Sequence, residues 1–397
     1  MKTNTPEFKK LIKNTALLFT LTLLPVIVGK LLIPLDWYSF RCWETLLDRG
    51  VCTRSDDPRT VFYPDHFLKR IEAGDLSGHS RYAVKKNADW YTDSLGFRNK
   101  NYSPDKNYGI VVVGDSDIVG SALAQDETFT AVLQSLTHVD SYSWAPDNLN
   151  GFIRSPRFQS NPPKIVIMAD NESNINFWPA IYQLHRLQDV LESAQRQDEI
   201  NAGTKESFFC SEYRKWPLSW QIAYKDILKK PFLFSHIVRV AWLKIFGHGV
   251  DGTVLNPEKK MLFRTEKVSL LHQLDHQPER LDQIARAIQA YQLELAQRGI
   301  LMIYMPIPLK ESIYWDWLPE KLRGNLGAPT VLSTLVRKLN ERGVPAIDLT
   351  DVFRQRHLTN PDELLYQLDD SHWNADAVRG AAFLVGSKIG ELLSQKQ

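Results

Sequence analysis

The sequence lacks a strong excess of charge of either sign. Its 48 Lys and Arg residues nearly balance 46 Asp and Glu residues, which leaves a formal net charge of +2. Proteins that bind nucleic acid usually carry a basic stripe or cluster. The basic runs here are short pairs such as Lys9-Lys10 and Lys229-Lys230. We therefore expect no nucleic-acid partner.

Cysteine is also scarce. The three cysteines, Cys42, Cys52 and Cys210, form no Cys-x-x-Cys pair, which argues against a cysteine zinc site. Cys42 and Cys52 lie close in sequence, so they could form a disulfide if that part of the chain is outside the cytoplasm. The alternative is two ordinary thiols. We expect neither a metal site nor an organic cofactor.

Long apolar runs are rare, and the main one lies near the N-terminus. Residues 15–29 are apolar and follow Lys9, Lys10 and Lys13, a pattern that directs the N-terminus to the cytoplasm. It predicts a cytoplasmic tail at residues 1–13 and a signal anchor at residues 14–37. A cleaved signal peptide is the alternative. Both predict a bacterial inner-membrane or periplasmic protein whose main domain is extracytoplasmic.

Alternating short apolar runs and amphipathic segments dominate the rest of the chain. This alternation predicts a parallel sheet covered by helices on both faces, a three-layer flavodoxin-like α/β domain over residues 106–395. A lead-in region at residues 38–105 precedes it. The predicted strands are 108–113, 164–168, 300–305 and 344–349, and the predicted helices are 126–136, 280–298 and 331–342.

The alternation breaks between residues 179 and 273. This stretch is mostly helical in pattern and rich in aromatic and basic residues. We interpret it as an insertion that forms a lid or a wall of the ligand cleft. A second membrane helix is disfavoured because charged residues such as Lys225 and Arg239 interrupt it.

Ser116 is the candidate nucleophile. It ends the tripeptide Gly114-Asp115-Ser116, which directly follows the predicted strand at residues 108–113. A loop at the carboxyl end of a strand presents its hydroxyl to the cleft, and nearby backbone amides can bind an oxyanion. A serine hydroxyl needs an adjacent base to become nucleophilic.

His372 is the candidate base. It follows Asp369 and Asp370 closely, and a carboxylate at this spacing can orient an imidazole and stabilise its cation. Asn171 follows another predicted strand and could donate its side-chain amide to the oxyanion, beside the backbone amide of Ser116.

These segments together resemble the SGNH, or GDSL, hydrolase superfamily. Residues 114–116 resemble its first block, residues 169–172 a variant of its third, and residues 369–372 its last. A narrower resemblance is to the SGNH-like alginate O-acetylation proteins and their exopolysaccharide relatives. It rests on Pro306-Ile307-Pro308-Leu309-Lys310 with Tyr314, on residues 348–353 and on the sequence YQLDDSHWN at residues 366–374.

The resemblance implies a membrane-tethered enzyme with a Ser-His-Asp mechanism. In that group a membrane-bound O-acyltransferase acetylates the serine, which passes the acetyl group to a polysaccharide hydroxyl. Superfamily spacing implies Asp369 as the triad acid, whereas the acetylation proteins imply Asp370. The second block lacks its expected oxyanion glycine, for which Gly151 or Asn148 could substitute.

Three functions are compatible with these features. The first is an O-acetyltransferase acting on a polysaccharide acceptor. The second is a carbohydrate or lipid esterase, in which water replaces the sugar hydroxyl. The third is a non-catalytic, glycan-binding scaffold of an envelope assembly, which the missing glycine would favour.

Overall fold

A computed structural model describes most of the chain. The described residues are 6–32, 42–47, 62–76, 84–100, 102–103, 105–195, 212–213, 215–229, 233–249, 252–323 and 327–395. Their strands are β1 Phe67–Glu72, β2 Lys86–Tyr91, β3 Ile110–Val113, β4 Ser141–Trp144, β5 Ile165–Asn171, β6 Thr253–Asn256, β7 Met261–Arg264 and β8 Leu301–Ile307.

The central element is a four-stranded sheet in the order β4-β3-β5-β8, with every neighbouring pair parallel. All four residues of β3 are buried and β-branched, as a strand covered on both faces requires. The predicted parallel α/β sheet is therefore confirmed. Strand β4, with the sequence SYSW, was not predicted, and its four side chains are all buried.

Helices cover this sheet. The longer ones are Phe129–Thr137, Trp178–Gln195, Leu218–Lys229, Leu233–Phe246, Thr265–Asp275, Pro278–Gln297, Val331–Glu341, Leu349–Thr359 and Ala375–Ser394. Short α-helices are Ser116–Val119, Leu149–Arg154, Pro156–Ser160, Lys310–Ile313 and Glu320–Arg323. Short 3-10 helices are Cys42–Leu46, Gln125–Glu127, Ile175–Phe177 and Trp315–Trp317.

The helices form two groups, and the helices of each group pack on one another. Phe129–Thr137 packs on Ala375–Ser394, whereas Pro278–Gln297 packs on Trp178–Gln195 and Val331–Glu341. The crossovers β3 to β4 and β5 to β8 run toward opposite ends of the sheet. Because parallel crossovers are right-handed, the two groups cover opposite faces.

The predicted strand at residues 344–349 is wrong. Only a single parallel bridge forms there, between Tyr304 and Ala346. The reason is that the side chain of Asp348 caps the helix Leu349–Thr359, accepting from the Thr350 N–H at 2.8 Å. The chain therefore turns into a helix before a strand can extend.

The lead-in region and the insertion each contribute a two-stranded antiparallel ribbon. Strands β1 and β2 pair within the predicted lead-in region, and β6 and β7 pair near the end of the predicted insertion. The insertion is thus helical only in part. Both ribbons lie close to the C-terminal loop that carries His372, since Gly74 N and Leu262 N bond to residues 369 and 368.

The N-terminal segment is a helix, Pro6–Leu32. Among the helices that the structure describes, none is long and apolar enough to cross a membrane. Residues 33–37 of the signal anchor predicted for residues 14–37 lie outside the described residues, and the anchor stays a prediction. The choice between a disulfide and two thiols lies outside the described residues, because Cys52 and the side chain of Cys42 are not among them.

Candidate active site

Ser116 lies at the carboxyl ends of β3 and β5. These neighbouring strands lead to β4 and β8, which lie on opposite sides of them in the sheet. Strand β3 ends at Val113 and β5 ends beside it at Asn171, and ligands of open α/β sheets bind at this kind of edge. Asp115 caps the short helix that Ser116 begins, accepting from the Asp117 N–H at 3.0 Å. Gly114 allows the close approach, since a Cβ there would lie 2.7 Å from the Ala169 carbonyl oxygen.

Ser116, His372 and Asp370 form a continuous hydrogen-bonded chain. The Ser116 Oγ lies 2.8 Å from Nε2 of His372, and Nδ1 of His372 lies 2.5 Å from Oδ1 of Asp370. The same Asp370 oxygen accepts from the His372 backbone N–H at 2.9 Å. Both members of the His–Asp pair are buried, so the imidazole has one orientation.

Asp369 points away from the imidazole. Its Oδ2 accepts from the backbone N–H groups of Gly74 and Val84 at 2.9 and 2.7 Å. Its Oδ1 forms an ion pair with Lys86 at 2.9 Å. Of the two carboxylates that the sequence left open, the structure therefore brings Asp370 to His372.

The buried His–Asp pair strongly favours charge separation. Burial disfavours the imidazolium, but the carboxylate of Asp370, together with that of Asp117 when it is ionised, outweighs this effect and raises the pKa of His372 to about 9. Burial likewise opposes the Asp370 anion, yet His372 beside it holds the pKa of Asp370 well below its usual range. At neutral pH the resting pair is thus imidazolium and carboxylate.

The predicted oxyanion donors differ in their contacts. Ser116 is the first residue of its helix, a position whose backbone N–H has no acceptor within the helix. The side-chain Nδ2 of Asn171 donates to Oδ2 of Asp117 at 2.8 Å. Gly151 and Asn148 were the two candidates to replace the missing oxyanion glycine. The N–H of Gly151 donates to Oδ1 of Asn148 at 3.1 Å, so both residues are engaged in capping the helix Leu149–Arg154.

Lys310 supports the loop that carries Asp370. Its fully buried Nζ donates to the backbone carbonyls of Gln367, Leu368 and Asp370, at 2.5, 3.0 and 3.0 Å. Burial lowers the pKa of Lys310 to about 8. The resemblance drew attention to this residue, but spacing alone did not reveal what it holds.

The lead-in region supplies contacts that the sequence did not reveal. Asp75 accepts from the backbone N–H and hydroxyl of Ser371 at 2.7 and 2.6 Å, and Arg264 pairs with it at 2.7 Å. The Asp75 N–H donates to Oδ2 of Asp370 at 3.2 Å. Asp370 and Ser371 lie 295 and 296 residues from Asp75, and Arg264 lies 189 residues from it, so no local pattern could have predicted these contacts.

Arg98 holds the segment that follows Ser116. Its buried guanidinium donates to the carbonyls of Val119, Gly120 and Leu123 at 2.8 to 2.9 Å. It also stacks on the ring of Trp90, with Cζ 3.6 Å from the centroid. Burial lowers the pKa of Arg98 to about 9. The planar guanidinium of Arg98 thereby fixes residues 119–123, which follow the helix that Ser116 begins.

One group of described residues, Asp75, Asp370 and His372, has ligand atoms within 4.8 Å of one another. Each is already engaged: Asp75 by Ser371 and Arg264, and Asp370 by His372. An arginine paired with one carboxylate does not suit a cation site. The group therefore fits an oriented catalytic base better than a metal centre.

Residues 254–397 match the family model described as the SGNH hydrolase-like domain of the acetyltransferase AlgX. This part of the chain is similar to that domain. The match confirms the resemblance to SGNH-like acetylation proteins, and it supports an enzyme of the acyltransferase or esterase type. It includes Lys310, Asp370 and His372, while Ser116 and Asn171 precede it. No curated protein matches the chain.

Proposed function

We propose that this protein is an O-acetyltransferase that moves an acetyl group to a polysaccharide hydroxyl. The observation that carries the proposal is the hydrogen-bonded chain from Ser116 through His372 to Asp370. The AlgX match adds support, because the matched domain is described as that of an acetyltransferase.

In the first half-reaction His372 acts as the base. Because the raised pKa of His372 keeps its imidazole protonated at neutral pH, the ring first loses that proton. Its neutral Nε2 then takes the Ser116 proton as Oγ attacks the carbonyl carbon of an acetyl ester. The Ser116 N–H and the Asn171 amide stabilise the oxyanion. The intermediate then collapses, the leaving alkoxide takes the proton from His372, and Ser116 carries the acetyl group.

The second half-reaction reverses these roles. A sugar hydroxyl gives its proton to His372 and attacks the acetyl-serine carbonyl carbon. The Ser116 oxygen leaves and takes the proton back from His372. If water replaced the sugar, the same steps would give an esterase, so the identity of the acceptor distinguishes the two activities.

The partners and location belong to the same proposal. We propose a polysaccharide acceptor, a membrane-bound O-acyltransferase as acetyl donor, and a location outside the cytoplasm. The location is supported by the lysines that precede the apolar residues 15–29. The donor and acceptor follow from the resemblance to polysaccharide acetylation proteins.

A chromogenic acetyl ester tests the mechanism directly. Purified full chain is compared with Ser116→Ala and His372→Ala, measuring ester cleavage and the mass of an acetyl adduct. We expect an adduct on wild type, and loss of cleavage by about 10³-fold or more in both variants. Faster loss of the adduct with a glycan acceptor than with water indicates a transferase, and no preference indicates an esterase.

The same experiment can contradict the proposal. Equal, negligible cleavage by all three proteins, with no adduct on wild type, would show that Ser116, His372 and Asp370 do not catalyse acyl transfer. The non-catalytic scaffold would then be the better interpretation. Circular dichroism of the three proteins controls for loss of folding.

A further inference from the structure

The side-chain amide of Asn171 is held at both ends. Its Oδ1 accepts from the Ser173 backbone N–H at 3.1 Å and from the Ser173 hydroxyl at 2.8 Å. Because a backbone N–H only donates, this contact identifies the oxygen end of the amide. Its Nδ2 donates to Asp117, and an amide nitrogen carries a second hydrogen. That second N–H is the one left for an oxyanion.

Asp117 is the carboxyl that holds this amide, and it is closely confined. It follows the nucleophile directly and is 2% exposed. Its backbone carbonyl accepts from the Trp373 indole at 3.1 Å, which fixes the residue in place. Its Oδ1 is buried and has no hydrogen-bond partner among the described residues.

The surroundings of Asp117 contain more acids than bases. Asp115 lies two residues before Asp117. From the C-terminal loop, Asp370 and His372 face Asp117, and the Tyr366 hydroxyl group is a further acid nearby. Burial raises the pKa of Asp117 to about 7; His372 opposes this increase and Asp115 adds to it. A carboxyl in such a site can remain protonated near neutral pH.

We propose that Asp117 is a positioning residue, whose uncharged carboxyl accepts from Asn171 and so presents the remaining amide N–H to the oxyanion. The inference rests on the proposed acyl transfer. An ionised Asp117 would place a negative charge beside the amide that stabilises the oxyanion. Asp117 keeps its proton throughout, while the Ser116 proton moves to His372 and back.

This role has a consequence for the dependence of rate on pH. The reactive form carries a proton on Asp117 and none on His372. Both groups are buried and interact, so the rate should rise and then fall as pH increases, with apparent pKa values that belong to the pair. The falling limb arises because loss of the second proton from the pair leaves Asp117 ionised.

Asp117→Asn isolates this effect. The asparagine keeps an oxygen that accepts from Asn171 and cannot ionise, so we expect the falling limb to disappear and a single rising limb to reach a plateau. Asp117→Leu removes the acceptor, and we expect its kcat to fall by about 10- to 100-fold with little change in KM. Asp126→Asn is the matched control, because Asp126 is exposed and the charge change is identical.

The measurement is kcat/KM of the full chain for a chromogenic acetyl ester, from about pH 5 to about pH 10. Infrared difference spectra between wild type and Asp117→Asn provide a readout that needs no turnover. They should show a protonated carboxyl band that disappears as pH rises above about 7. Circular dichroism and thermal unfolding confirm that each variant folds.

The outcomes separate the two proposals. A falling limb that persists in Asp117→Asn, with an active wild type, overturns the role of Asp117 and leaves the triad intact. Wild type with no acetyl adduct overturns both proposals. A falling limb lost equally in Asp126→Asn would assign it to net charge instead, which also overturns the inference.

Discussion

Asp369 and Asp370 are adjacent in sequence but contact different partners. Asp369 and Asp370 are both fully buried, but their carboxylates face in different directions. Asp370 accepts from His372, and Asp369 accepts from the lead-in region and Lys86. Asp370 therefore orients the imidazole of His372, whereas Asp369 holds the loop to the lead-in region.

Neutralising each aspartate in turn tests this division at the residue scale. Asp370→Asn removes the acceptor that sets the imidazole tautomer, and we expect kcat for acetyl-ester cleavage to fall by about 10³- to 10⁴-fold. Asp369→Asn leaves that acceptor in place, so we expect a loss below about tenfold in kcat. It breaks a buried ion pair and should cost about 3 kcal/mol in the free energy of unfolding. Equal losses of kcat would contradict the assignment of Asp370.

At the scale of elements, the loop at residues 365–372 is fastened from three sides. Lys310 binds its carbonyls from the segment after β8, and Tyr314 accepts from the Leu365 N–H at 2.7 Å. Strand β7 donates from Leu262 to the Leu368 carbonyl at 2.9 Å. The segment after β1 closes the third side through Gly74 and Asp75. Such support holds His372 at a fixed distance from Ser116.

Gly74 is the closest contact in this support. A Cβ there would lie 2.0 Å from the Asp369 carbonyl oxygen, a backbone atom that cannot move without moving the loop. We expect Gly74→Ala to lower the free energy of unfolding by about 1–3 kcal/mol and to reduce kcat more than the folded fraction falls. Urea unfolding and ester cleavage measure the two effects.

Gly390→Ala is the control for this substitution. Gly390 lies in the helix Ala375–Ser394, and a Cβ there would meet nothing within 4 Å. Alanine is the better helix former, so we expect a gain of up to about 1 kcal/mol and unchanged kcat. Unchanged activity in Gly74→Ala would show that the contact with residue 369 does not position His372.

On the scale of the whole molecule, several buried acids have raised pKa values. Burial raises the pKa of Glu72, Asp117 and Glu172 to about 7, and burial together with the Asp115 anion raises that of Asp170 to about 8. The folded state therefore binds more protons than the unfolded state between about pH 4 and about pH 8. Their stabilising contribution is complete below the unfolded pKa and is lost as pH rises through the folded pKa.

We therefore expect the urea midpoint to fall as pH is raised from about 5 to about 8. His372 acts in the same direction, because its pKa is raised from 6.5 to about 9. Asp170→Asn should flatten the dependence by up to about 1.4 kcal/mol per pH unit, since one titrating proton is removed. Asp170 also accepts from the Trp178 indole at 2.8 Å, a bond that asparagine can keep. The same slope in wild type and variant would contradict this account.

The sequence alone determined the features that local spacing encodes. Short apolar runs predicted β3, β5 and β8, and the apolar face of residues 280–298 predicted the helix Pro278–Gln297. The spacing of two or three residues between His372 and the carboxylates of Asp370 and Asp369 indicated an oriented imidazole. These patterns are readable because strand burial, helix period and short loops depend on neighbouring residues.

Tertiary structure alone decided which of these features meet. It brought Asp370 rather than Asp369 to His372. It placed Asp75 and Lys86 in contact with the loop at residues 365–372, and it directed the Asn171 amide to Asp117. It also reduced the predicted strand at residues 344–349 to a single bridge. Each outcome depends on contacts between segments far apart in the chain, and only packing of the whole domain brings those segments together.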